Sequence, residues 1–237
     1  SDLLYFRSIV KRLQDNEPFQ YIVGQTEFFG LELKCDARAL IPRPETEELV
    51  EWVLEVATPE NTLIDFCTGS GCIALALKNQ LTKATVYGTD VSKEALELSK
   101  ENASSLNLDV IFIQHDALSD QLPSTLTEQS IDIIVSNPPY IPEVDKQEMQ
   151  ANVMDFEPHL ALFVENDNAL IFYKAIASQA TRLLIQNGLL FFEIHERLAV
   201  ETKEAIEALG FVDVEIRKDL QGKDRMIKAR FASSNLD

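Results

Sequence analysis

Asn137-Pro138-Pro139-Tyr140 is the stretch of this chain richest in chemistry. It follows residues 131–136, a short apolar run that reads as a strand. Two prolines stiffen the backbone and remove two N–H donors. What remains is a rigid rim of acceptors, the Asn137 side-chain oxygen and the Pro138 carbonyl, beside the flat face of Tyr140. An amide or amine NH₂ lying in that rim can donate two hydrogen bonds while its planar group stacks on the ring. Acceptors placed there draw density toward the nitrogen and make it a better nucleophile. They also hold it in line with an electrophilic methyl group. Asn137, Pro138 and Tyr140 are therefore candidate catalytic residues, and with Pro139 they form a candidate substrate grip. A proline turn closing a strand is the plainer alternative.

Three earlier apolar runs end the same way. Residues 62–66 run into Asp65-Phe66-Cys67-Thr68-Gly69-Ser70-Gly71, residues 84–89 into Asp90, and residues 110–114 into Asp116. In a doubly wound sheet the ligand lies outside the carboxyl ends of the strands, so four neighbouring strands present polar groups at one edge. Gly69 and Gly71 let the backbone turn tightly and approach a ligand. A helix starting near Gly71 would aim free N–H groups at an anion such as a methionine carboxylate. Asp90 can hold both hydroxyls of a ribose, and Asp116 can accept from an adenine amino group. Together these features describe S-adenosylmethionine. Its candidate binding residues are Asp65, Cys67, Thr68, Gly69, Ser70, Gly71, Asp90, Asp116 and Asn137. Residues 69–74 also read GxGxxA, a weak signal that by itself allows a nicotinamide dehydrogenase. Such an enzyme has no use for the Asn-Pro-Pro-Tyr rim.

The elements that would position these groups alternate. Residues 1–17 read as a helix stopped by Pro18, 27–35 as a β-hairpin, and 41–47 as a stiff proline turn leading into a helix from Glu47. Strands are expected at 62–66, 84–89, 110–114, 131–136, 188–194, 211–217 and 225–232. Helices are expected at 71–80, from the Ser92 N-cap to about Ser105, at 168–186 and at 197–209. This βαβ spacing implies a mostly parallel sheet with helices on both faces. Only a short loop around Gly222 joins the last two strands, so they must pair antiparallel.

Composition narrows the class further. Of 237 residues, 46% are hydrophobic and 25% charged, which suits one packed domain with a small appendage. A formal net charge of -18 disfavours nucleic-acid partners. The three cysteines, Cys35, Cys67 and Cys72, form no disulfide framework and no metal spacing, which fits a reducing cytoplasm. No apolar run reaches the ~18 residues of a membrane helix, and no signal peptide is visible. His115, His159 and His195 lack a nucleophile in sequence context and read as structural or surface residues.

Taken together, the motifs resemble a known family. Gln20-Tyr21-Ile22-Val23-Gly24, Phe28, Gly30, Ile41-Pro42-Arg43-Pro44-Glu45-Thr46-Glu47, Thr68-Gly69-Ser70-Gly71 and Asn137-Pro138-Pro139-Tyr140 are similar to the HemK/PrmC family, the release-factor glutamine methyltransferases. Glu157-Pro158, Ala161-Leu162 and Asp219-Leu220 with Gly222 and Arg225 extend the likeness to residues 18–231. The resemblance implies a class I S-adenosylmethionine-dependent methyltransferase fold of Rossmann type, with seven strands and an antiparallel one at its C-terminal end. Residues 1–17 would be the remnant of an N-terminal helical domain, 18–43 linker and hairpin, and 44–237 the catalytic domain. With so little of the helical domain present, cofactor would bind well and the protein substrate poorly. The implied substrate is the glutamine of the Gly-Gly-Gln loop in class 1 peptide-release factors. Ala117 would then join Asp116 beside the adenine, and Thr46 and Glu47 would sit beside the active site. A ribosomal-protein glutamine, an adenine amine in nucleic acid and a non-catalytic cofactor-binding module remain as alternatives. Two positions depart from the family pattern: Cys67 stands where members carry Gly, and residues 194–197 lack a Gly that members often show.

Overall fold

A computed structural model describes residues 2–148, 151–165 and 168–232. Residue 1 and residues 233–237, the ends of the expected units, lie outside them. The chain opens with helices α1 (Asp2–Gln14) and α2 (Phe19–Val23). One helix was expected up to Pro18, but α1 stops earlier, where Asn16 turns left-handed at φ 62°. Pro18, with ψ 135°, then starts α2 instead of merely ending α1. The hairpin follows as β1 (Gln25–Phe28) and β2 (Leu31–Lys34). Its two turn residues, Phe29 and Gly30, both have positive φ, the handedness that matches strand twist.

Helix α3 (Pro44–Leu54) corrects the expectation of an extended turn through residue 47. Arg43 is extended, but Pro44 occupies the first helical turn, where its fixed φ is already helical and its missing N–H is not needed. The alternating core comes next: β3 (Thr62–Phe66), α4 (Cys72–Gln80), β4 (Thr85–Asp90), α5 (Lys93–Leu106), β5 (Ile111–Gln114) and β6 (Ile131–Ser136). Ser92 caps α5 as expected, its Oγ accepting from Ala95 N at 3.1 Å. Short β7 (Ile141–Pro142), α6 (Ala151–Phe156) and β8 (Phe163–Val164) lead to α7 (Ile171–Leu183), β9 (Leu184–Glu193), α8 (Ala199–Glu207), β10 (Phe211–Lys218) and β11 (Asp224–Phe231). The expected helix at 168–186 is shorter because β9 begins at Leu184, which pairs with Ile131 ahead of a bulge. The expected helix at 197–209 opens as a 3-10 turn, Glu196–Leu198.

The main sheet has the order β10-β11-β9-β6-β3-β4-β5. All pairings from β9 to β5 are parallel; β11 runs antiparallel to both β9 and β10. Successive side chains alternate between two cores, as pleating requires. Leu63, Val135 and Phe191 face α3 and α4 together with the fully buried Trp52. Ile64, Ile134, Leu190 and Phe192 face α7 and α8. Burial on both faces explains why these strands read as nearly unbroken apolar runs. The hairpin packs Phe28, Leu31 and Leu33 into the first core. No helix among the described residues is long and apolar enough to cross a membrane.

Candidate active site

The carboxyl ends of β3, β4, β5 and β6 open on one cavity of about 280 Å³. Cys67, Thr68, Gly69 and Ser70 form one wall; Asp90, Asp116 and Ala117 form another; Thr46, Asn137 and Pro139 close a third. A second cavity of about 170 Å³ is lined by Pro138, Tyr140 and Glu193. Asn137, Leu40, Arg43 and Ala161 border both. Asn137 therefore stands where the two spaces meet.

The first turn is built around Asp90. Its Oδ2 accepts from Gly69 N and its Oδ1 from Ser92 N, both at 2.9 Å. Burial pushes its carboxyl up, while these N–H groups and that of Val91 pull it back. Each carboxylate oxygen keeps a second lone pair for a donor in the cavity. Asp116 Oδ1 accepts from Leu118 N at 2.9 Å. Gln179 donates to Ala117 O and Ser119 O at 2.9 and 3.0 Å and holds that loop in place. His115, which also lines the cavity, meets Gln179 Oε1 through Nε2 at 2.9 Å, and burial lowers its pKa. His159 bonds Met154 O, and His195 Nδ1 accepts from Arg197 N. No group of metal-ligating side chains occurs among the described residues.

Asp65 and Gly71 stand behind the cavity wall. Gly71, at φ 84°, precedes α4 and donates to Thr68 O at 2.8 Å. Asp65 is 1% exposed and accepts from Thr68 Oγ1 at 2.6 Å. Burial pushes its carboxyl up to about 7, although the Thr68 hydroxyl and the Ala74 N–H favour the charged form; nearby Asp90 adds to the rise. An acid whose folded pKa lies above its unfolded value of about 3.9 weakens the fold as pH rises between the two, with the full penalty reached above the folded pKa. Asp65→Asn removes that titration. The variant should therefore gain on the wild type between pH 5 and pH 8 in thermal melts, and a pH-independent gap would contradict the assignment.

Cys67 adopts φ 59°, the left-handed backbone that explains why a glycine suits this position, at a cost of roughly 1–2 kcal/mol for other residues. Gly88, in the middle of β4, went unnoticed in the sequence. A Cβ there would lie 2.8 Å from the Phe112 ring and 2.9 Å from Thr68 Oγ1. Gly88→Ala should displace Thr68 from Asp65 and lower stability by about 1–3 kcal/mol, the usual range for overpacking, as read by denaturant melts.

At the junction, Asn137 Nδ2 donates to Thr46 Oγ1 at 3.2 Å, and Thr46 Oγ1 donates to Glu193 Oε2 at 2.6 Å. Tyr140 Oη donates to Glu193 Oε1 at 3.2 Å. Burial pushes the Glu193 carboxyl up, and Thr46, Arg225 and Tyr140 oppose that rise. Glu47 does not reach either cavity: its Oε1 accepts from Phe29 N at 2.6 Å and braces the hairpin turn. The segment before α3 is strapped over both cavities. Arg43 pairs with Glu157 at 2.5 Å, Glu157 Oε2 accepts from Ile41 N at 3.1 Å, and Tyr21 Oη donates to Ala39 O at 2.9 Å. Glu193, Arg225 and the Arg43–Glu157 pair carry no role that a sequence motif predicts. Glu193 ends β9 as Asp90 ends β4, so the strand-end rule, carried one strand further, would have found it.

Residues 46–156 match the Methyltransferase small domain. Among solved structures, a methyltransferase from Pyrococcus furiosus superposes with TM-score 0.62 at 17% identity, covering 86% of this chain and 90% of that one. The ribosomal protein L11 methylase from Lactobacillus delbrueckii subsp. bulgaricus gives 0.56 at 19%, covering 81% and 79%. At those identities the likeness is one of fold. Sequence relatives are nearer. The release factor glutamine methyltransferase of Flavobacterium psychrophilum is 44% identical over 234 residues, covering 97% of this chain and 81% of that protein. That of Bacteroides thetaiotaomicron is 44% identical, covering 94% and 79%. With relatives of that identity along nearly its whole described length, and two cavities joined at an Asn-Pro-Pro-Tyr turn, this chain belongs to the release factor glutamine methyltransferase family.

Proposed function

We propose that this chain transfers a methyl group from S-adenosylmethionine to the side-chain amide nitrogen of a release-factor glutamine, the one in the Gly-Gly-Gln loop of class 1 factors. The observation that carries the reading is the position of Asn137 where two cavities of about 280 and 170 Å³ meet; we assign the larger to the methyl donor and the smaller to the entering side chain. The larger cavity fits the cofactor. Asp90 offers an anchored carboxylate to a ribose, Asp116 and Ala117 line the same cavity, and the buried Ser70 Oγ has no hydrogen-bond partner among the described residues. When bound, S-adenosylmethionine supplies an electrophilic sulfonium methyl and leaves as S-adenosylhomocysteine.

The remaining work belongs to the chain. Cys67 to Ser70, Asp90, Asp116 and Ala117 hold the cofactor; the Asn137 side-chain oxygen and the Pro138 carbonyl accept from the glutamine NH₂; Pro139 and Tyr140 support its planar group. These contacts orient the nitrogen and raise its electron density, and positioning of this kind is worth up to about 7–11 kcal/mol. No strong base is required, because a methylated amide sheds its proton readily once the new bond forms. The net charge of -18 suits a protein partner and not a nucleic acid. We place the reaction in the cytoplasm, where free cysteines are stable.

The test is methyl transfer from labelled S-adenosylmethionine to an intact release factor and to its Gly-Gly-Gln→Gly-Gly-Ala variant. Label on the first alone supports reaction, substrate and target together. Label on both, or on neither while a ribosomal protein accepts it, would refute the release-factor assignment.

A further inference from the structure

Glu193 takes no part in the chemistry just described, yet it is buried beside it with both oxygens engaged. It is 2% exposed, and two hydroxyls point their protons at its two oxygens. The tighter bond comes from Thr46, itself 2% exposed. A threonine hydroxyl has one proton. At 2.6 Å from a carboxylate, a charge-assisted distance, that proton belongs to the bond with Glu193. Thr46 Oγ1 can therefore meet Asn137 only as an acceptor, which obliges Asn137 to turn its NH₂ toward Thr46. The Asn137 carbonyl oxygen is then left for the two cavities it borders.

The two ends of a carboxamide are nearly the same size, so shape alone does not choose between them. Without the carboxylate, the Thr46 hydroxyl could rotate and donate to Asn137 Oδ1. The NH₂ would then face the cavities, and a site of acceptors would become a site with a donor opposing the substrate's own NH₂.

We propose that Glu193 is a positioning and specificity-determining residue: acting through Thr46, it sets the orientation of the Asn137 carboxamide so that the site accepts an amide NH₂. The proposal rests on the glutamine-methylation reading for its consequence, though not for the orientation itself. Three further groups face the same carboxylate. Tyr140, from the loop after β6, donates to it; Arg225, from β11, attracts it; Glu45, from α3, repels it. Arg225 is in turn held by Asp219 at 3.1 Å. Hydrogen bonds from α3 and from the loop after β6 thus fix the carboxylate, and the ring of Tyr140 is fixed with it.

Three variants test this. Thr46→Val removes the relay at constant volume and leaves the Tyr140 bond to Glu193 in place, Glu193→Met removes the anchor together with that Tyr140 bond, and Thr46→Ser keeps the hydroxyl. The first readout is hydrogen exchange of the Asn137 side-chain NH₂, followed by NMR in the cofactor-free protein. Exchange should be slow in the wild type and in Thr46→Ser, and at least about tenfold faster in Thr46→Val and Glu193→Met, because the bond protecting it is gone. The second is turnover on the release factor. Thr46→Val and Glu193→Met should lose about 10- to 100-fold in kcat, the scale of a mispositioned contact. KM and cofactor affinity should change less, and Thr46→Ser should recover most of the rate. A merely structural tie between α3 and β9 would lower melting temperature without splitting kcat from KM. Wild-type exchange and wild-type kcat in both Thr46→Val and Glu193→Met would overturn the proposal. Because the exchange measurement needs no methyl transfer, it decides the orientation even if the wild type labels no release factor, a result that would sink only the functional reading.

Discussion

Asn137→Ala should abolish methyl transfer while S-adenosylmethionine still binds. Asn137 borders both cavities and is held by Thr46 at 3.2 Å, so its removal takes away the acceptor that orients the entering nitrogen. Loss of one preorganised polar group at a reacting centre lowers kcat by about 10²–10³-fold, and loss of orientation adds to that. Cofactor affinity should fall by less than about tenfold, the worth of one ordinary hydrogen bond. Single-turnover rates beside a calorimetric cofactor titration separate the two effects. Equal losses in both would mean that Asn137 mainly builds the cofactor wall.

Asp90→Ala should show the converse. The carboxylate joins two segments, Gly69 N on the first turn and Ser92 N at the cap of α5, and offers its remaining lone pairs to the cavity. Hydrogen bonds to a charged group are worth about 1.5–3 kcal/mol each. A ribose that loses two of them, in a turn that has lost its brace, should bind at least about 10²-fold more weakly. At saturating cofactor, kcat should stay close to wild type, since β3 lies between β4, which ends in Asp90, and β6, which leads into Asn137 and Tyr140. Asp90→Asn should fall between, because one amide end repels a backbone donor. An unchanged cofactor affinity in Asp90→Ala would show that the ribose lies elsewhere.

What could be read in the residues depended on how locally each feature is specified. The strand ends carrying Asp90, Asp116 and Asn137 follow from apolar runs closed by polar residues, and the structure brings all three to one cavity. Thr46 and Glu47 show the opposite case. Neighbours on a helix point about 100° apart. Thr46 therefore faces the cavity while Glu47 turns to Phe29 of the hairpin. That divergence was invisible while Pro44-Glu45-Thr46 read as an extended turn, although a proline followed by acidic residues is also how a helix starts. The Thr46–Glu193 bond spans 147 positions and the Arg43–Glu157 pair 114, separations that leave no periodic or motif trace. Cys67 is a further case: its left-handed backbone is imposed by the turn around it, against its own preference.

The place of β11 also governs how the molecule comes into being. Strands β9 and β10 leave the ribosome first, yet neither pairs with the other; β9 has β6 on one side, but its other edge and β10 wait for β11, which is made after both and lies between them. Synthesis at about 5–20 residues per second leaves these edges open until that strand emerges. Arg225, which faces Glu193, and Met226, which pairs with it, arrive on the same strand. The strands whose ends line the first cavity are therefore all made before β11, and the surroundings of Glu193 are complete only once that last strand is in place.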